Sequence, residues 1–265
     1  MKVAIHTKGK NDEQIKGQSE LEEALRSHGI EVIDDWQPGM DADMMISIGG
    51  DGTLLSAVHH IGKAGIPVVG INFGHLGFLT TAGRDDIEQL AESLRNGRYS
   101  IEQRTMLEVA VYVSGATQRL SALNEVYLHR CLDGSPLHTQ VELDGKLVAT
   151  YSGDGLIVAT PTGSTAYSLS CGGPILAPGS GGLVITPIAA HTLTQRPVVV
   201  SDDVRIRLCE EREGVPMTLG VDSYSCRLEW GSVIEIRKAD YSTRLVRLGE
   251  QNFFTAIREK LMWGI

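Results

Sequence analysis

The hydrophobic positions of this chain follow two different grammars. From the start to about residue 97, short apolar runs alternate with segments whose apolar residues recur three and four apart. Val3-Ala4-Ile5 reads as a strand. Residues 19–28 read as a helix, with Leu21, Ala24 and Leu25 on one side and Gly29 as its stop. Strand-like residues 30–33 and 44–48 follow, then a helix from Leu54 and a buried strand over 66–71. A capped amphipathic helix over 85–94 ends at Gly97. This alternation predicts a mostly parallel sheet covered on both faces. Ligands then belong at the carboxyl ends of its strands, where the loop after Ile48 falls.

From about Tyr99 short β-rich segments dominate: 107–113, 140–143, 146–149, 204–209, 233–237 and 243–248. Asp144-Gly145, between two of them, is a two-residue hairpin signal. Phe253, Phe254, Ile257 and Leu261 place a closing amphipathic helix over 251–262. The expected architecture is a Rossmann-like α/β domain over 1–98 and an all-β, antiparallel sandwich domain over 99–250. A C-terminal helix, within 251–265, is expected to pack back on the first domain. No internal repeat, low-complexity tract or long linker interrupts the pattern.

Composition narrows the function. With 265 residues, 42% hydrophobic and 22% charged, the chain has ample material for the core of an ordinary globular protein. A formal net charge of −9 argues against a basic nucleic-acid surface. It does not exclude phosphorylated small molecules, which local backbone dipoles can hold. Cys131, Cys171, Cys209 and Cys226 are scattered, with no metal-ligand spacing, and read as reduced thiols. No signal-peptide pattern opens the chain, and no apolar run approaches the ~18–20 residues that span a bilayer. A cytoplasmic location is expected, without nucleic acid or membrane as partner.

The candidate chemistry starts at Gly49-Gly50-Asp51-Gly52-Thr53. An apolar strand ends in a glycine-rich turn and opens a helix, so free N–H groups and the positive helix end face one spot, a natural anion site. The Asp51 carboxylate in its middle points to proton or metal chemistry beside a phosphate. Its alternative reading is an N-cap of the helix. Asn124 and Glu125 are adjacent, so both reach one ligand only from a strand end or bulge. Asp154 sits between two glycines. Residues 160–170 interleave seven hydroxyl groups with a proline and a glycine and read as a loop entering a short helix.

Together, Gly49-Gly50-Asp51-Gly52-Thr53, Asn124-Glu125 and the stretch from Ser152 to Pro174 resemble the bacterial NAD kinase family, ATP- or polyphosphate-dependent enzymes. Gly70-Ile71-Asn72, Gly77-Phe78-Leu79, residues 186–193 and the Phe-rich tail extend the resemblance over most of the chain. The glycine-rich turn alone is shared with diacylglycerol-type lipid kinases; the segment 154–174 is far more restrictive. The resemblance implies transfer of the γ-phosphoryl of ATP to the 2′-hydroxyl of the adenosine ribose of NAD, with Asp51 as general base. It implies that Gly49, Gly50, Gly52 and Thr53 approach phosphate and that Asn124 and Glu125 meet the adenosine and ribose hydroxyls. Asp154, Thr162, Thr165, Ala166, Tyr167, Ser170 and Ala189 are implied as NAD contacts, with Phe78, and less so Leu55, beside the adenine. Ser152 stands where many relatives carry arginine, and Tyr224, in the turn Asp222-Ser223-Tyr224, where they often carry glutamine. Mg2+ is expected to arrive with ATP. No metal cage is visible, and His59, His60, His75 and His191 read as solvent or core histidines. A homo-oligomer, tetramer or dimer, is implied, and the active site is expected between the two domains. The rivals are a lipid kinase and a non-catalytic NAD(P)(H) sensor.

Overall fold

A computed structural model describes residues 1–8, 12–74, 77–131, 135–249 and 252–263. The chain divides into two compact units, Met1–Gln103 with Thr243–Ile265, and Arg104–Ser242. The divisions fall at 103/104 and 242/243, within the long strands β5 (Tyr99–Val113) and β16 (Val233–Leu248). The sequence pattern had placed the change of grammar at 98/99 and 250/251. Period-2 patterning persists straight through such strands, so it carries no mark of where one core ends and the next begins.

In the first unit, β1 (Lys2–Thr7), β2 (Glu31–Ile33), β3 (Met44–Ile48) and β4 (Val68–Ile71) form a parallel sheet in the order β2-β1-β3-β4. The end of β16 adds a further parallel neighbour through Leu245 and Val68. The chain steps one way from β1 to β2 and the other way from β3 to β4. Right-handed crossovers then put α1 (Asp12–Ser27) and α2 (Asp51–Ile61) on opposite faces. Leu21 and Leu25 of α1 share one core with Ile46, Ile48, Val69 and Leu90 of α3 (Ile87–Arg95). Leu54, Ala57 and Val58 of α2 are buried on the other face. The reversal between β1 and β3 opens a crevice at the carboxyl strand ends, and Thr7 there pairs with Ile48 just before Gly49. The closing helix is α5 (Phe253–Leu261), whose Asn252 cap accepts the N–H groups of Phe254 and Thr255.

The second unit is a sandwich. One sheet runs β12-β11-β10-β7-β14-β15, all antiparallel: β7 (Glu125–Arg130), β10 (Gly155–Ala159), β11 (Gly182–Ile188), β12 (Val198–Ser201), β14 (Met217–Val221) and β15 (Tyr224–Leu228). Facing it are β5, β6 (Ala116–Ala122), β8 (Leu137–Leu143), β9 (Lys146–Gly153), β13 (Ile206–Glu210) and the start of β16. Asp144 and Gly145, both at positive φ, make the two-residue turn between β8 and β9, as the Asp-Gly signal requires. Val126, Leu128, Leu156 and Val158 from one sheet meet Leu107, Val141, Leu208 and Ile234 from the other. The opposite face of the six-stranded sheet carries Ile157, Ala159, Val184 and Ile188, with Tyr127, Tyr167 and Leu176 packed on them. That sheet is therefore buried on both faces, and α4 (Tyr167–Ser170) lies on its outer one. Among the described residues no helix is long and apolar enough to cross a membrane.

Candidate active site

Helix α2 starts at Asp51, three residues before the apolar periodicity begins, and Gly50 is its N-cap. Asp51 therefore does not cap its own helix, which overturns the alternative reading of it. Its carboxylate reaches across instead: Oδ2 accepts the N–H of Phe78 at 2.9 Å and Oδ1 that of Leu79 at 3.1 Å. Two glycines make room for this. A Cβ on Gly77 would overlap the Asp51 carboxylate, and Gly49, at φ +143°, would drive one into Thr53. The first N–H groups of α2 have no carbonyl to pair with inside the helix and face the carboxyl end of the sheet. From the far side the buried Arg247 guanidinium donates to the carbonyls of Phe78 and Leu79, both at 3.4 Å, and to Glu102 at 3.0 Å. Phe78 and Leu79 are thus gripped at both their N–H and C=O groups. Leu55 is half-buried on α2. His75 lies outside the described residues.

In the second unit, Asn124 ends the approach to β7 and Glu125 begins the strand, the strand-end position that their adjacency demands. The turn after β10 presses against them: the Thr160 N–H donates to the Asn124 carbonyl at 2.9 Å and the Thr160 hydroxyl to that of Leu123 at 2.6 Å. A Cβ on Gly163 would strike the Asn124 backbone. Glu125 is 7% exposed, its carboxyl accepts the N–H of Tyr167, and its buried Oε2 has no hydrogen-bond partner among the described residues. Burial, and then the nearby Asp222 carboxylate, push the Glu125 pKa up to about 8. At neutral pH it is an acid with one donor and one acceptor, where the sequence suggested a carboxylate.

The remaining candidates lie in the same unit. The ring of Tyr167 stands edge-on to Tyr127, with centroids 5.5 Å apart, and its phenol pKa is raised by burial and then by neighbours including Asp154 and Glu125. Thr162 accepts from the buried Arg104 at 3.4 Å, and the Thr165 hydroxyl donates to the Thr162 carbonyl at 3.2 Å. Ala166 joins a 3-10 turn over Gly163–Thr165 to α4, and Ser170 ends α4 exposed. Asp154 forms a 2.6 Å ion pair with Arg130. A guanidinium therefore stands beside Asp154 although residue 152 is serine; it comes from β7. Ala189 holds φ +44°, costly for a residue with a Cβ, and its carbonyl closes on Gly153 next to Ser152. Tyr224 is exposed on the edge strand β15, its hydroxyl accepting from Gln118.

Sequence reasoning missed Arg104, Arg130 and Arg247, and it named Asp222 only as part of the turn with Tyr224, not for its grip on the start of β7. Each contacts a candidate residue from 24 to 169 positions away, and no local spacing announces such a pair. Among the described residues no three His, Cys, Asp or Glu side chains group as a metal site. The carboxylates present are engaged by N–H groups or a guanidinium, so these residues do not by themselves build a cage for a divalent ion.

A helix start carrying an anchored carboxylate, in an α/β unit joined to a β-sandwich, defines a phosphoryl-transfer class of site. Comparison with known proteins specifies it. The family profile for the ATP-NAD kinase N-terminal domain matches residues 16–99, and that for the ATP-NAD kinase C-terminal domain matches 123–248. A NAD kinase of Bacteroides fragilis is 41% identical over 224 residues, 84% of this chain and 77% of that protein. One of Prosthecochloris aestuarii is 38% identical over 280 residues, covering 100% and 98%. Among solved structures, an NAD kinase from Archaeoglobus fulgidus in complex with ATP superposes with a TM-score of 0.78. It is 26% identical over 99% of both chains. Yeast NADH kinase complexed with NADH shares the fold, with a TM-score of 0.90 at 24% identity over 100% of this chain and 88% of that one. The chain belongs to the ATP-NAD kinase family, and it is a kinase.

Proposed function

We propose that the chain phosphorylates the 2′-hydroxyl of the adenosine ribose of NAD with ATP, giving NADP, and that Asp51 is its general base. The observation that carries the assignment of the base is the Asp51 carboxylate held by two backbone N–H groups at the start of α2. A ribose hydroxyl is a weak nucleophile, and in a loose phosphoryl-transfer transition state its proton leaves late. A carboxylate fixed in place therefore helps mainly by orienting the hydroxyl and then taking its proton. Gly49, Gly50, Gly52 and Thr53 bring the α2 N-terminus against phosphate. Asn124 and Glu125 hold the adenosine, with Tyr167 beside them. Thr162, Thr165, Ala166, Ser170, Ala189 and Asp154 complete the dinucleotide contacts, and Phe78 lies by the adenine; Ser152 and Tyr224 contribute weakly. A divalent ion, Mg2+ or another, would come with ATP, and the chemistry it would supply is neutralisation of phosphate charge. The protein is a cytoplasmic homo-oligomer in this reading.

Purified protein with ATP, magnesium and NAD, assayed for NADP by a specific dehydrogenase, tests the reaction. NAD binding without NADP formation favours the sensor, and phosphorylation of a lipid alone favours the lipid kinase. Asp51→Asn is expected to lower kcat by roughly 10²–10⁴ with NAD still bound. Wild-type turnover in that variant sinks the assignment of the base.

A further inference from the structure

The Asp222 side chain makes a second carboxylate grip, on the other motif. Asp222 stands in the two-residue turn between β14 and β15, at φ +48°, a conformation that Asp tolerates better than most residues. Its Oδ2 accepts the Leu123 N–H at 2.7 Å, and its Oδ1 accepts those of Asn124 at 2.9 Å and Glu125 at 3.1 Å. Its own N–H donates to the Glu125 carbonyl at 3.0 Å, closing the end of the β7–β14 ladder. Three successive N–H groups converging on one carboxylate form an anion-holding nest, here filled by the protein itself. Their convergence fixes the backbone of Asn124 and Glu125 against the β14–β15 turn where β7 begins.

We propose that Asp222 is a positioning residue for dinucleotide binding, fixing through these three hydrogen bonds the backbone from which Asn124 and Glu125 reach the ligand. This rests on the reading of Asn124 and Glu125 as NAD contacts. Asp222 itself touches no ligand in this role. Its charge adds a second effect, because a carboxylate beside the buried Glu125 favours the protonated form. The other titratable groups at this place are Tyr167 from α4, Cys171 just after it, Tyr127 from β7, and Asp154, which is paired with Arg130. Asp222 is the one whose charge is directed at Glu125 in addition to the burial of that group. A neutral acid suits a ligand that brings its own pyrophosphate charges.

The test is Asp222→Asn, which keeps the size but offers an N–H2 where an N–H needs an acceptor. NAD affinity, measured by calorimetry, is expected to fall roughly tenfold or more. In steady state KM for NAD rises while kcat changes little. The titration midpoint of the Glu125 carboxyl, followed by carbon NMR in the absence of nucleotide, is expected to move to lower pH. A merely structural aspartate would lower the melting temperature and leave the NAD affinity of the folded variant in place. An unchanged NAD affinity in a folded variant overturns the proposal. Should the variant not fold, the wild-type amides of Leu123, Asn124 and Glu125 decide: all three must be protected from hydrogen exchange without nucleotide, and rapid exchange at any of them also overturns it. The NMR measurements need no ligand. Loss of NAD binding by the wild-type protein would therefore remove the NAD reading without touching the grip itself.

Discussion

At the scale of single residues, a few atoms placed against a carboxylate decide the chemistry. Gly77 is one case. Any Cβ there meets the Asp51 carboxylate, so Gly77→Ala must push Asp51 off the Phe78 and Leu79 amides or shift the loop. The expected cost is about 1–3 kcal/mol in denaturant unfolding, with turnover falling further than stability alone explains. Glu125 is another. Its pKa stands near 8 against an ordinary 4.5, so the fold favours the neutral acid. Below about pH 4.5 both folded and unfolded chains carry this proton, and the preference is fully present. Between 4.5 and 8 only the unfolded chain ionises, and stability declines; above 8 both are ionised and the loss levels off. Its full size is on the order of 2–5 kcal/mol. Glu125→Gln cannot ionise, so its melting temperature should gain on the wild type from pH 5 to about pH 8 and then hold that gain to pH 9. NAD affinity in the wild type should weaken as pH rises through 8 and stay flat in the variant. Parallel melting curves across that range would show the acid to be ordinary.

At the scale of elements, the difference between what could be read and what could not follows from burial. The parallel strands at 44–48 and 68–71 lie inside runs the pattern marked as buried, and their boundaries moved by two residues at most. Helix α1 starts seven residues before its apolar stripe suggested, and the segments 233–237 and 243–248 are one strand. Strands β10 and β11 were not read as strands at all. They are buried throughout because α4 and Leu176 cover the sheet face opposite the sandwich core, which erases the alternation that marks a half-buried strand. The motif residues were legible because each sits where glycine or a hydroxyl cluster breaks such runs. Their supports were not, since Arg247 meets Phe78 only after the fold has formed. Arg247 is 7% exposed, so removing its guanidinium leaves the Phe78 and Leu79 carbonyls and Glu102 short of a donor. Arg247→Met is expected to cost about 2–4 kcal/mol in denaturant unfolding. Arg247→Lys should recover less than half, because a single ammonium cannot span the same fork of acceptors. A neutral result for Arg247→Met would show that the Asp51 grip alone holds the segment.

At the scale of the whole molecule, the proposed homo-oligomer needs a surface that a second copy can use. The two edges of the six-stranded sheet differ in how they guard themselves. Strand β15 carries Arg227, and a charge on an edge discourages further pairing. Strand β12, Val198-Val199-Val200-Ser201, carries no charge and leaves Val198 41% and Val199 49% exposed, with Leu193 exposed nearby in sequence. An uncharged valine edge is what a monomer avoids and what a symmetric pair of chains can bury. Val199→Lys puts an ammonium on that edge without entering either core, so folding should be little changed. Light scattering on the wild type should give a multiple of the chain mass of 28.7 kDa, and the variant should move toward a single chain. If the wild type is already monomeric, the oligomer is refuted; if the variant keeps the wild-type mass, another surface holds the copies together.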